Sequence, residues 1–150
     1  MSRDRGGARS RQRARELLVK ALYQWQLAGH SAAEILAQFT ADEGFASCDD
    51  AYFEALLATV IDNAATLDEI IARQAARGLE QLDEVGHAIL LLALAELKYR
   101  DDVPTKVVIN EAVELAKRYG AAESYKFVNA LLDRSARELR HGPAPAAAKA

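Results

Sequence analysis

Apolar side chains recur every three or four positions through most of the chain, and that period predicts helices. Ala14, Leu18, Ala21, Leu22 and Trp25 fall within about a third of a helical circumference, with Arg13, Lys20 and Gln24 opposite. The spacing predicts a helix from Arg9 or Ser10 that closes at Gly29 through a left-handed cap. Ser31-Ala-Ala-Glu34 reads as a capping box for a short helix carrying Ile35, Leu36 and Phe39. Residues 40–49, with Gly44, Ser47 and three acids, have the composition of a loop.

Asp49 or Asp50 then caps a third helix with Phe53, Leu56, Leu57, Val60, Ile61 and Ala64 on one stripe. A second capping-box pattern, Thr66-Leu-Asp-Glu69, predicts a break near residues 63–65 and a fourth helix carrying Leu67, Ile70 and Ile71 to Gly78. From Leu82 or Asp83 to Tyr99 a fifth helix is apolar almost all round its middle, which places it at the centre. Pro104 opens a sixth, with Val108, Ile109, Ala112, Val113, Ala116 and Tyr119 aligned and Gly120 at its end. The last carries Val128, Leu131, Leu132, Ser135 and Leu139. No alternating, β-branched run between hairpin turns is present, so the expected fold is all-α, about seven helices in one compact domain over residues 9–140. Residues 1–8, with two glycines and no period, are expected to be a flexible basic N-terminus, and residues 141–150 a disordered Pro/Ala tail.

Composition supports this picture, and charge adds to it. A chain of 150 residues buries roughly 70% of its unfolded surface without disulfide or metal staples. Through Lys20 there are seven basic side chains against Asp4 and Glu16, a net of +5 in a chain of −3. A basic end on an acidic body points to a polyanion at that end and leaves the body for a basic partner. Cys48 is the single cysteine, which excludes an intramolecular disulfide and fits a reducing cytoplasm. No signal-peptide core follows the N-terminal charges, and the apolar run Ala88–Ala95 is far short of the roughly 20 residues that span a bilayer.

No catalytic constellation is visible. His30, His87 and His141 lack the spacing of a ligand pair, the glycines are isolated rather than gathered in a phosphate loop, and no nucleophile elbow occurs. No catalytic residue, metal or cofactor is predicted. Binding by the basic segment is the stronger reading, because arginine's planar fork donates paired, charge-assisted bonds to phosphate. Single-stranded RNA also needs planar groups to stack on. Tyr23 lies toward the polar side of the first helix, and Phe127 sits beside Lys126 and Asn129 near the start of the last one. Periodicity leaves Phe127 open between core and platform.

Asp102-Val-Pro-Thr-Lys-Val-Val-Ile-Asn-Glu-Ala-Val-Glu-Leu-Ala-Lys-Arg-Tyr-Gly120 resembles the NusB family of bacterial transcription antitermination factors. Ser124-Tyr-Lys-Phe-Val-Asn-Ala-Leu-Leu-Asp133 is similarly family-like, as are Arg13-Ala-Arg-Glu, Ala21-Leu-Tyr-Gln-Trp-Gln-Leu27, Tyr52-Phe53 and Ala93-Leu-Ala-Glu-Leu97. The resemblance covers about residues 10 to 135 and implies two small helical bundles packed across each other. It implies a protein that is not an enzyme. Such a protein binds single-stranded boxA RNA of ribosomal RNA leaders with NusE, a small-subunit ribosomal protein, and helps RNA polymerase read through terminators.

Carried over, the RNA-binding residues are Arg9, Arg11, Arg13, Arg15, Lys20, Tyr23, Lys126, Phe127 and Asn129, and the resemblance implies Glu80 and Glu123 as contributors to the NusE surface. Gly86 and Gln74 depart from the family pattern on that surface. One rival reading is a protein adaptor or homodimer whose basic helix docks an acidic partner. Another is an accessory module of an RNA methyltransferase, to which a similar domain is sometimes fused.

Overall fold

A computed structural model describes residues 3–75 and 82–141. Among the described residues there are seven α-helices and no strand, as the periodicity predicts. They are α1 (Arg3–Ala28), α2 (Ala32–Thr40), α3 (Asp50–Asp62), α4 (Ala64–Gln74), α5 (Glu84–Tyr99), α6 (Thr105–Tyr119) and α7 (Ser124–Ala136), with a 3-10 turn at Glu43–Ser47 and a π-helical turn at Arg137–His141. The chain divides into two compact units, Met1–Asn63 and Ala64–Ala150. The predicted end of the fourth helix at Gly78, the acidic residue Glu80 and residues 142–150 of the tail lie outside the described residues.

In the first unit α1 packs against α3 and α2. Ala14, Leu18, Ala21 and Leu22 are buried as the wheel requires, whereas Trp25 is only half-buried. The helix begins at Arg3, earlier than the start at Arg9 or Ser10 that the spacing predicts. Extending a formed helix adds one backbone bond per residue fixed, so a nucleated α1 grows outward even through glycine. Gly29 ends it at φ +72°, donating its N–H to the Trp25 carbonyl at 2.9 Å. The Ser31 capping box forms in both directions, and its backbone and hydroxyl bonds hold the Glu34 carboxyl below its ordinary range.

The stretch read as loop folds partly into the 3-10 turn, because Asp42 caps it and Phe45 has an apolar site to fill. Phe45 meets Phe53 edge-on, with ring centroids 5.2 Å apart, while Phe39 packs on the same Phe53 ring at 5.7 Å. Burial pushes the neighbouring Cys48 thiol up to about 11, helped by Asp50 and Asp49. Asp49 rather than Asp50 is the cap of α3.

The second unit is built on α5, whose residues from Ala88 to Leu97 are all buried, with α4, α6 and α7 packed against it. Asp83 caps α5 through the Gly86 amide at 2.8 Å. The second capping box is not formed. α4 starts at Ala64, directly after Asn63 closes α3, so Thr66 already lies inside the helix. On α6, Val108, Ala112, Leu115 and Ala116 are buried, and Tyr119 is exposed. Gly120 follows because a Cβ there would stand 2.6 Å from Ser124 Oγ and 2.8 Å from the Ala116 carbonyl oxygen.

Beyond α7 the π turn carries Arg140 back to the end of α5. Its Nε donates to the Leu97 carbonyl at 2.9 Å, Nη2 to Glu96 and Arg100 at 3.0 and 2.8 Å, and Nη1 to Val103 at 2.6 Å and Thr105 Oγ1 at 3.1 Å. A helix leaves its last carbonyls without intrahelical partners, and a cation is favoured there by the helix dipole. One guanidinium meets both needs and also ties the α5–α6 connection to the end of the chain.

Candidate nucleic-acid interface

A helix turns about 100° per residue, so alternate arginines cannot share a face. Arg9 and Arg13 stand on one side of α1 in line with Lys20, Tyr23 and Leu27, while Arg11 and Arg15 are about 200° away, within the apolar stripe. Burial follows this division. Arg9, Lys20 and Tyr23 are exposed, and Leu27 keeps 60% of its surface. Arg15 keeps 3%.

Each inner arginine has a berth on α3. The Arg11 Cζ lies 4.1 Å from the centre of the Tyr52 ring and its Nε 3.8 Å from Asp49 Oδ2, while the Arg15 Cζ stands 5.6 Å from the same ring. Arg13 is held from the outer face: Nη1 donates to Glu16 Oε1 at 2.9 Å, and Nη2 sits so close to Gly44 that a Cβ there would come within 2.9 Å of it. Nearer the far end of the helix, Gln24 and Gln38 exchange amide bonds of 2.8 and 3.1 Å, fixing α2 alongside α1.

In the second unit the predicted residues gather at the start of α7. Lys126 Nζ pairs with Glu123 Oε1 at 2.6 Å, both side chains being well exposed, an arrangement that contributes little to stability in water. The sequence reading assigns these two residues to different partners, and the fold makes them neighbours. Glu123 adopts a left-handed backbone, φ 70°, directly before the helix. Phe127 is half-buried and lines a hollow of about 100 Å³ with Leu82, Gly86, Ala122 and Ser124, next to the Asp83 cap of α5. Asn129 is exposed. The ring is therefore neither fully core nor free-standing.

Sequence reasoning missed Tyr52 and Asp49 as partners of the arginines. The signal was present, since Arg11 and Arg15 fall in register with Leu18 and Leu22 on the wheel. No group of three or more metal-ligating side chains occurs among the described residues.

An all-helical protein with a line of cations on its first helix is the class that fold and surface define. Residues 12–137 match the NusB family. A transcription antitermination protein NusB from Photorhabdus laumondii is 50% identical over 131 residues, covering 87% of this chain and 95% of that one, and its namesake from Alcanivorax borkumensis is 49% identical over 135 residues, 90% of each. Among solved structures, T. maritima NusB superposes with a TM-score of 0.71 at 34% identity, covering 85% of this chain and 91% of that one. The chain belongs to the NusB family.

Proposed function

We propose that this protein is a cytoplasmic transcription antitermination factor that binds single-stranded boxA RNA of ribosomal RNA leaders together with NusE, and so supports processive transcription by RNA polymerase. The observation that carries this reading is the outer line of α1, where Arg9, Arg13 and Lys20 lead along one face to the exposed Tyr23 ring. Cations spaced along a rigid helix track a phosphate backbone, and an exposed aromatic gives an unpaired base a surface to stack on. In the second unit, Lys126, Phe127 and Asn129 are the residues proposed to contact RNA. Arg11 contributes from its half-exposed position, and Arg15 supports rather than touches. Glu123 and Glu80 are the residues proposed to contribute to binding of the basic ribosomal protein. The reading assigns no catalysis and no cofactor.

Titration of labelled boxA RNA, with and without NusE, tests this. Binding should weaken steeply with salt and tighten when NusE is present. Binding that is insensitive to salt, or a boxA sequence no better than a scrambled one in the ternary mixture, would refute it. Leu27 is exposed at the end of the same line, which favours, as second reading, a protein-docking face for an acidic partner or a second copy. That reading predicts association without RNA.

Phe127→Ala separates platform from core. A half-buried ring should cost about 1–2 kcal/mol on truncation, below the roughly 3–5 kcal/mol of a fully buried phenylalanine. Affinity for boxA should fall about tenfold, the scale of one base stacked on an aromatic ring. Chemical unfolding and RNA titration of the same variant provide the check.

A further inference from the structure

Tyr52 is 3% exposed, yet the groups over its ring are two guanidiniums from the neighbouring helix. Placing arginines at apolar-stripe positions is costly unless the charge is satisfied there. We propose that Tyr52 is a positioning residue for RNA binding: it holds the Arg11 guanidinium at a fixed place beside the basic line of α1, so that its edge donors meet a phosphate. The proposal rests on the RNA-binding reading above.

The geometry distinguishes the two arginines. Arg15 is buried and offers a ligand no surface, whereas the Arg11 side chain keeps 34% of its exposure. A cation held over an aromatic ring is bound through its charge, which does not consume the in-plane N–H donors a phosphate needs. Asp49 Oδ2, at 3.8 Å from Nε, is beyond hydrogen-bond reach and consumes none either.

The berth itself is fixed. Asp49 caps α3 by accepting from the Tyr52 amide at 3.1 Å, and its own N–H donates to the Ser10 carbonyl at 2.9 Å. The first turn of α3 is thereby tied to α1 one residue before Arg11. A free arginine must give up much side-chain freedom to grip a phosphate, and a stacked one has already done so.

The test measures anisotropy of a labelled single-stranded boxA oligonucleotide against the full chain and its variants. Tyr52→Leu should weaken binding about three- to tenfold, while Tyr52→Phe, which keeps the ring, should stay within about twofold. Arg11→Gln should weaken binding to a similar degree and flatten the logarithmic salt slope by about 0.7, the share of one phosphate contact on a single strand. In the Arg11→Gln background Tyr52→Leu should cost nothing more. Arg11→Lys reads the contact without touching the core: the salt slope stays and affinity falls, because an ammonium lacks the planar fork.

A Tyr52→Leu loss that persists undiminished without Arg11, no loss at all, or an Arg11→Lys variant that binds like the parent would each overturn the proposal. Failure of the underlying reading looks different: the unmodified chain itself would then bind RNA without salt dependence or not at all.

Discussion

Replacing Arg9, Arg13 and Lys20 together by glutamine is expected to lower affinity for single-stranded RNA about a hundredfold at roughly 0.1 M salt. Each phosphate contact on a single strand contributes about 0.7 to the logarithmic salt slope, so three removed contacts reduce it by about 2 and cost about two decades of binding at that concentration. Helicity should be nearly unchanged and the unfolding midpoint should shift only slightly, since Arg9 and Lys20 are exposed and the Arg13–Glu16 pair is a single, partly buried ion pair. Salt-dependent titration with circular dichroism on the same samples decides it. A slope equal to the parent's would remove the outer line of α1 from the interface. The buried Arg15 should behave in the opposite way, with Arg15→Gln felt chiefly in unfolding.

Arg140→Ala is expected to cost about 2–4 kcal/mol of stability, since hydrogen bonds from a charged donor each contribute roughly 1.5–3 kcal/mol but do not sum when one group makes them all. Five hydrogen bonds are lost at once, four of them to backbone carbonyls around the α5–α6 connection, of which those of Glu96 and Arg100 keep a backbone donor. Arg140→Lys should recover less than half, because three donors on one nitrogen cannot span acceptors set around a planar fork. Denaturant unfolding measures both variants, and a loss under about 0.5 kcal/mol for Arg140→Ala, the scale of an ordinary surface substitution, would show that the turn is not held by this residue.

Much of this fold was legible because local signals agreed with one another. The Ser31 box, the Gly29 cap, the Asp83 cap and the Pro104 start each stand where residue type demands. Where two local signals competed the reading slipped. Thr66 has the side chain of a cap, but Asn63 had already closed α3, and the chain re-entered helix two residues before Thr66. Arg140 left no trace in periodicity, since its role depends on carbonyls some forty positions away in the chain.

The candidate site divides the same way. The sequence reading takes Arg9, Arg11, Arg13 and Arg15 together as one basic segment, although the helical wheel, applied to all four, sets Arg11 and Arg15 among the apolar positions and Arg9 and Arg13 beside Lys20. The tertiary berth of the inner pair was out of reach, because Tyr52 reads as an ordinary core aromatic until α3 is laid against α1. Phe127 was undecidable by pattern for a physical reason: it is half-buried at the rim of a hollow.

The split of the arginines around α1 constrains how the segment tolerates insertions and deletions. One residue added between Arg13 and Leu18 would rotate everything before it by about 100° relative to the core, swinging Arg11 off its ring and turning Arg9 away from the line of Lys20 and Tyr23. A residue added ahead of Arg9 would only lengthen the helix. The chain is thus free to vary in length at its very start and is locked in phase a few residues later, the lock beginning where the Ser10 carbonyl accepts the amide of Asp49.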